Sequence, residues 1–270
     1  MTTKPDYNGN IVKILEDSDF QNIRKVCNNH DGWIKVCDKK NTKLYTMTVD
    51  DSHFPMYKVI TDFEDVDSCT AYDVLQDNIY RKKWDKYMIE SKDVGVINPN
   101  TDVCYYAIGS VAPFRSRDFI MQRSWLDNGK EKFILSHSIC HKNYPPTTSH
   151  IRGNVHVTAY YITLLNNGGS RISYVTHSDP KGKLPGWFVN RITKTIAPKI
   201  LKKLHKVCLE YPDWKAKNQP SFKPWLFPEQ VMHLPRINLE DCLPQTYSNN
   251  GSIVDESDVK GTSIDEGDQN

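Results

Sequence analysis

The sequence predicts an α+β fold in which helices pack on a largely antiparallel sheet. Three observations carry this expectation. Runs of β-type residues recur along the chain, bounded by turn residues. The connections among the five runs of its second half, at about 103–108, 118–126, 132–140, 154–165 and 170–177, are too short for crossover helices, so successive strands pair antiparallel. Helical periodicity falls in separate segments outside those runs, the segregation that marks α+β chains.

Element by element, Ser18 and Gln21 read as a capping box, and Phe20, Ile23 and Cys27 follow at helical spacing. A short first helix is expected. A turn ending at Gly32 leads into β-rich runs at 33–38, 44–49 and 56–63, split by a Lys-Lys-Asn-Thr turn and by Asp51 and Pro55. From Asp67 to about Met88 the pattern is helical, with Ala71, Val74, Leu75, Ile79 and Trp84 on the expected buried face. Segment 184–209 reads as a long amphipathic helix. Val189, Ile192, Ile196, Ala197, Ile200, Leu201, Leu204, Val207 and Cys208 cover about half its circumference, with Arg191, Lys199, Lys202, Lys203 and Lys206 mostly opposite. Pro198 lacks a backbone donor and clashes with the preceding turn, so the helix is expected to kink or restart there.

The organisation expected is an N-terminal extension over 1–15, one folded domain over 16–230, and an acidic, disordered tail over 231–270. The formal net charge of +2 divides unevenly. From Asn238 onward eight acids face one base, a charge of −7, which leaves +9 on the preceding 237 residues. A basic body with an acidic tail points to an anionic surface as partner and to a tail that competes with it. No run approaches the roughly 20 apolar residues of a membrane span. Met1–Tyr7 lacks the apolar core of a signal peptide, and the seven cysteines are scattered without a CxxC pair, as a reducing compartment tolerates. The expected location is cytoplasmic, peripheral and transient at membranes.

Catalytic and metal chemistry find little support. His137, Cys140 and His141 are close in sequence, but two imidazoles four residues apart on a strand are too far separated to chelate easily. There is no Gly-x-Ser-x-Gly, no phosphate-cradling glycine loop and no His-Glu-x-x-His. No metal site, no cofactor and no enzymatic activity are expected. The body is basic and 11% of the chain is aromatic, yet no RNP-like or helix-turn-helix pattern accompanies the charge, and no nucleic-acid partner is expected.

The informative pair is Arg81 and Asp85, which four-residue spacing places on one helix face between Tyr80 and Trp84. The flanking aromatics imply partial burial, and a buried guanidinium needs an anion whose geometry its fork matches, a phosphate among them.

At this point several motifs resemble one family. Tyr80-Arg81-Lys82-Lys83-Trp84-Asp85, Phe114-Arg115-Ser116-Arg117-Asp118-Phe119, Tyr144-Pro145-Pro146, the run from Asp179 to Trp187, and Phe222-Lys223-Pro224-Trp225-Leu226 occur in the order found in StAR-related lipid-transfer (START) domains. The likeness is to the phosphatidylcholine-transfer-protein-like subgroup and runs from about residue 16 to 230. It implies the helix-grip fold, a curved antiparallel sheet closed around a long C-terminal helix with an internal lipid cavity. The implied function is exchange of one glycerophospholipid between membranes: phosphatidylcholine, and phosphatidylethanolamine as well. A lipid-responsive adaptor is the alternative, and a helix-grip enzyme the less favoured one, because Arg81 with Asp85 is a binding pair rather than a proton-transfer pair.

Carried over residue by residue, the resemblance implies that Arg81 binds the lipid phosphate and that Asp85 positions it. It places the rings that enclose choline at Tyr106, Phe119 and Tyr160. Tyr106 stands where the phosphatidylcholine-binding member has tryptophan and Phe119 where it has tyrosine, which weakens the cation–π surface and favours accepting ethanolamine lipids too. The implied door consists of the loop with Val111, Ala112, Pro113 and Phe114 at its tip and the C-terminal helix. On that helix Trp187, Phe188, Ile192, Ile196, Ile200 and Leu201 are apolar, Pro198 is the hinge, and Lys199, Lys202, Lys203 and Lys206 face anionic headgroups. In the tail, Ser252, Thr262 and Ser263 each have an acid three residues on, the pattern an acidophilic kinase favours.

Overall fold

The structure is a computed structural model and describes residues 12–50, 52–109, 114–185, 187, 197–244 and 254–258. Helix α1 (Asp17–Asn28) precedes the meander β1 (Ile34–Lys39), β2 (Thr42–Met47) and β3 (Met56–Phe63). Helices α2 (Ser68–Gln76) and α3 (Asn78–Trp84) follow. Then come β4 (Met88–Asn98), β5 (Thr101–Ile108), β6 (Arg117–Asp127), β7 (Glu131–His141), β8 (Ile151–Arg152), β9 (Asn154–Leu164) and β10 (Ser170–Asp179). Helix α4 (Ala197–Lys217) and a short strand β11 (Cys242–Pro244) complete the described elements. The main path of the sheet is β1-β2-β3-β10-β9-β7-β6-β5-β4, every neighbouring pair antiparallel. The α+β, helix-grip expectation is met. No helix among the described residues is long and apolar enough to cross a membrane.

Strand alternation explains how one sheet serves two cores. Ile134, Ile162 and Ile172 point to one face and pack with Val74, Leu75, Tyr80, Leu204 and Tyr211 of α2, α3 and α4. Phe133, Leu135, Val157, Ala159 and Val175 point to the other, where Phe20, Ile23, Val26 and Cys27 of α1 cover them. Lys58 of β3, fully buried, donates to the Val26 and Asn29 carbonyls at the end of α1 (3.0 and 2.6 Å) and lies 4.2 Å from the Trp33 ring.

Several expectations are corrected. The helix expected from Asp67 to Met88 is two helices and then a strand. Asp77 ends α2 and caps α3, its Oδ1 accepting the Ile79 and Tyr80 N–H groups, both at 3.0 Å. Ile79 is 43% exposed, not buried. Strand β4 was not legible because its register with β5 shifts three times, which erases the two-residue alternation. The capping of α1 uses Asp19, whose carboxylate accepts the Glu16 N–H (2.9 Å), rather than Ser18 and Gln21. Helix α4 continues past the expected end at 209 to Lys217 with Pro212 inside it. Ile200, expected on its apolar face, is 41% exposed, while Leu201 and Leu204 are buried.

The tail corrects the domain boundaries most. The Val96 N–H donates to the Pro235 carbonyl (2.9 Å) and the Ile237 N–H to the Val96 carbonyl (3.0 Å), so the chain beyond 230 covers the edge strand β4. Strand β11 pairs with β7, and Asp255 pairs with Lys183. These described parts of 231–270 are folded onto the body, where an aperiodic polar sequence predicted disorder. At the other end, Val12 packs with Ile120 and Ile139, and Gln122 donates to the Lys13 carbonyl (2.6 Å).

Candidate functional site

Helix α3 and its C-cap residue carry Arg81 and Asp85 toward the helix-covered face of the sheet. Arg81 Nη2 donates to the Leu75 carbonyl (2.8 Å), and its Nη1 stands 3.8 Å from Asp85 Oδ2. Both side chains are largely buried, and the Trp84 ring lies 5.0 Å from the guanidinium. Asp85 is held more firmly by Tyr106 of β5, whose hydroxyl donates to Oδ2 at 2.6 Å. Burial, and after it the Asp85 charge, push the Tyr106 phenol well above its ordinary value, so it remains a donor. Among the described residues, these two contacts leave further N–H groups of the guanidinium uncommitted.

Tyr106 pairs across the strands with Phe119 of β6, which puts both on one face. Tyr160 of β9 pairs with Tyr174 of β10, their rings 4.7 Å apart. Arg81 and Asp85 act electrostatically on Tyr106, Tyr160 and Tyr174 alike, and burial raises the phenols of the latter two as well. Tyr106, Tyr160 and Tyr174 each retain some accessible surface although they stand mid-strand beneath helices, as residues lining a space do. Phe119 is different: it is buried, and its ring occupies the place a side chain on Gly153 would need, 2.3 Å from the ideal Cβ. Toward β3, Leu44, Val59 and Leu201 pack with Tyr174 and help line a cleft of about 530 Å³ between β2, β3 and α4. The arrangement places one cation and one anion beside phenol rings; the cleft next to Tyr174 is apolar on its Leu44, Val59 and Leu201 side and is otherwise lined mostly by polar and charged residues, Asp62, Glu64 and His205 among them.

Of the residues expected at the door, Val111, Ala112, Pro113, Phe188, Ile192 and Ile196 lie outside the described residues, as do Ser252, Thr262 and Ser263 in the tail. Phe114 is a correction: it is 1% exposed, its ring 5.6 Å from that of Trp187, so it does not face outward. Pro198 falls in the first turn of α4, where a missing N–H is tolerated. The side chains of Pro198 and Lys199 lie outside the description, whereas Lys202 and Lys206 are exposed and Lys203 is partly so.

Sequence reasoning missed three features. Tyr174 adds a ring, and its pairing with the expected Tyr160 is visible only once β9 and β10 are in register. Asp102 and Arg123, directly opposite each other on β5 and β6, form a buried bidentate pair (3.1 and 2.5 Å). Their parity with Tyr106 and Phe119 was the available signal. Arg117, noted only as part of a motif, meets Glu256 of the tail at 2.5 Å.

Comparisons with known proteins identify the family and the fold. A family described as START domain matches residues 13–215. The chain is 37% identical to START domain-containing protein 10 of Mus musculus over 258 residues, 95% of this chain and 88% of that protein. It is 27% identical to phosphatidylcholine transfer protein of Mus musculus, over 66% of this chain and 85% of that one. The crystal structure of human STARD10 superposes with a TM-score of 0.82 at 37% identity, covering 87% of this chain and 96% of the other.

Proposed function

Because the chain belongs to the START domain family, we propose that it is a lipid-transfer protein. In this reading it holds one glycerophospholipid, phosphatidylcholine and also phosphatidylethanolamine, with the head at Arg81 and the tyrosines. The observation that carries it is the convergence of Arg81, Asp85 and Tyr106 with Tyr160 and Tyr174 on the helix-covered face. The Arg81 fork matches two phosphate oxygens, and Asp85, fixed by Tyr106, holds the fork in place. A quaternary ammonium has no donor and is held by ring faces, whereas an ethanolamine ammonium can donate to the phenol oxygens. Acyl chains lie along the apolar wall of Leu44, Val59 and Leu201, which spares them the roughly 0.8 kcal/mol that each CH₂ costs in water. Exposed Lys202 and Lys206 supply transient contact with anionic membranes.

Native mass spectrometry of the purified chain followed by lipid extraction tests this directly, with one phospholipid per chain expected. Arg81→Ala is expected to lose phosphatidylcholine extraction from vesicles while keeping the melting profile of the parent. Equal extraction by the two would remove the phosphate role from Arg81.

A further inference from the structure

Three segments distant in sequence meet on one guanidinium. Arg117, the first residue of β6, has a side chain only 5% exposed. Its Nη1 donates to the Arg115 carbonyl (2.6 Å), its Nε to that of Pro180 (3.1 Å), and its Nη2 to that of Lys181 (3.2 Å) and to Glu256 Oε2 (2.5 Å). Glu256 is buried as well, and its second oxygen accepts the Arg115 backbone N–H (2.9 Å). The tail arrives as an extended segment. The Lys183 N–H donates to the Val254 carbonyl and the Glu256 N–H to the Lys183 carbonyl, each at 3.0 Å, and Lys183 Nζ lies 2.9 Å from Asp255. Gly182 has a left-handed φ of +77°, and a Cβ there would stand 3.0 Å from the Val254 carbonyl, so glycine lets the two backbones approach. Phe114, just before Arg115, is packed near Trp187, which follows the 180–183 segment.

The partners divide into neutral carbonyls and one anion. A guanidinium buried among carbonyls alone keeps an uncompensated charge out of water, so the carboxylate makes this burial tolerable. Glu256 thereby bridges the 114–117 segment, where β6 begins, and the 180–187 segment that precedes α4. We propose that Val254–Asp258 is an intramolecular latch. Glu256 occupies a socket formed by the Arg117 guanidinium and the Arg115 N–H, holds these two segments together, and has to leave before lipid enters or exits. The proposal rests on the lipid-transfer reading above. Once vacated, the socket suits phosphate as well as carboxylate, so an anionic bilayer is the competitor that displaces the tail.

In the full-length chain, Glu256→Gln is expected to raise the initial rate of fluorescent phosphatidylcholine transfer between vesicles on the order of tenfold, the worth of one charge-assisted hydrogen bond. Amide exchange at 114–117 and 183–187 should accelerate with it. Unchanged transfer together with unchanged exchange would overturn the latch. Faster exchange in a chain that moves no phospholipid, mutant or parent, would sink the lipid reading and leave the latch standing. Because Glu256→Gln also leaves Arg117 buried without an anion, a second variant works in the opposite direction. Lys183→Cys with Asp255→Cys places thiols on residues already bridged backbone to backbone. Oxidised, this chain should transfer lipid well below the parent treated alike, and reduction should restore it. An oxidised chain transferring at the parent's rate overturns the proposal.

Discussion

Tyr106 shows how much a single hydroxyl can carry. It stands on a strand beside Phe119, yet its oxygen reaches a carboxylate on a helix and holds it within 3.8 Å of Arg81. Tyr106→Phe keeps the ring and removes that bond. It is expected to weaken phosphatidylcholine retention by about 1 kcal/mol, roughly fivefold. Extraction of phosphatidylcholine from vesicles by mutant and parent measures it, and equal retention would show that the Tyr106–Asp85 bond does not hold Arg81 for the phosphate. His177 illustrates a residue whose effect is on stability. Its ring stacks on His156 at 4.4 Å, and its Nε2 lies 3.0 Å from Ser52 Oγ. Burial, then the neighbouring His156, lower it from 6.5 to about 4, against smaller opposing influences of the Phe54 backbone and Asp179. The folded chain thus binds fewer protons than the unfolded one between these values. The stability of the neutral ring is present above pH 6.5 and is lost as pH falls toward 4, about 3 kcal/mol at most. Urea unfolding between pH 7 and 4.5 should show this slope, and His177→Phe should flatten it.

At the scale of elements, Asp77 is the joint between the site and the long helix. It separates α2 from α3, which sets the direction in which Arg81 leaves α3. Its Oδ2 also accepts the Tyr211 hydroxyl (2.9 Å) and the Lys215 ammonium (2.8 Å), both from α4. Lys215 is buried, so Asp77→Asn leaves an ammonium with neutral partners. A loss of about 3–5 kcal/mol is expected, read from urea unfolding of the lipid-free chain. A loss below about 1 kcal/mol would mean that the Phe222 carbonyl, 2.8 Å from Lys215 Nζ, suffices. Helix periodicity alone could not reveal this break, because Asp77 sits between two stretches whose apolar spacing is continuous enough to read as one helix.

Across the whole molecule, the described parts of the chain after α4 lie on the body, and residues 235–237 cover the edge strand β4. At β4, a Cβ on Gly95 would stand 2.4 Å from the Pro235 carbonyl and 2.7 Å from Ile237. Gly95→Ala is therefore expected to displace residues 235–237, costing about 1–3 kcal/mol and opening that segment to limited proteolysis. Unchanged protection would show that the return strand is not seated there. By itself the sequence determined the order of β5, β6, β7, β9 and β10, the burial of Phe20, Ile23 and Leu204, and the pairing of Arg81 with Asp85. Those are matters of spacing along one chain segment, which periodicity and motif preserve. Tertiary structure alone decided that Tyr174 joins Tyr160, that Phe114 turns inward, that Asp77 anchors α4, and that the acidic tail docks on Arg117. Each of these depends on which residues meet across some seventy positions or more, or across a strand register. Such meetings are fixed by the burial of charge and the closing of sheet edges, and no local pattern encodes them.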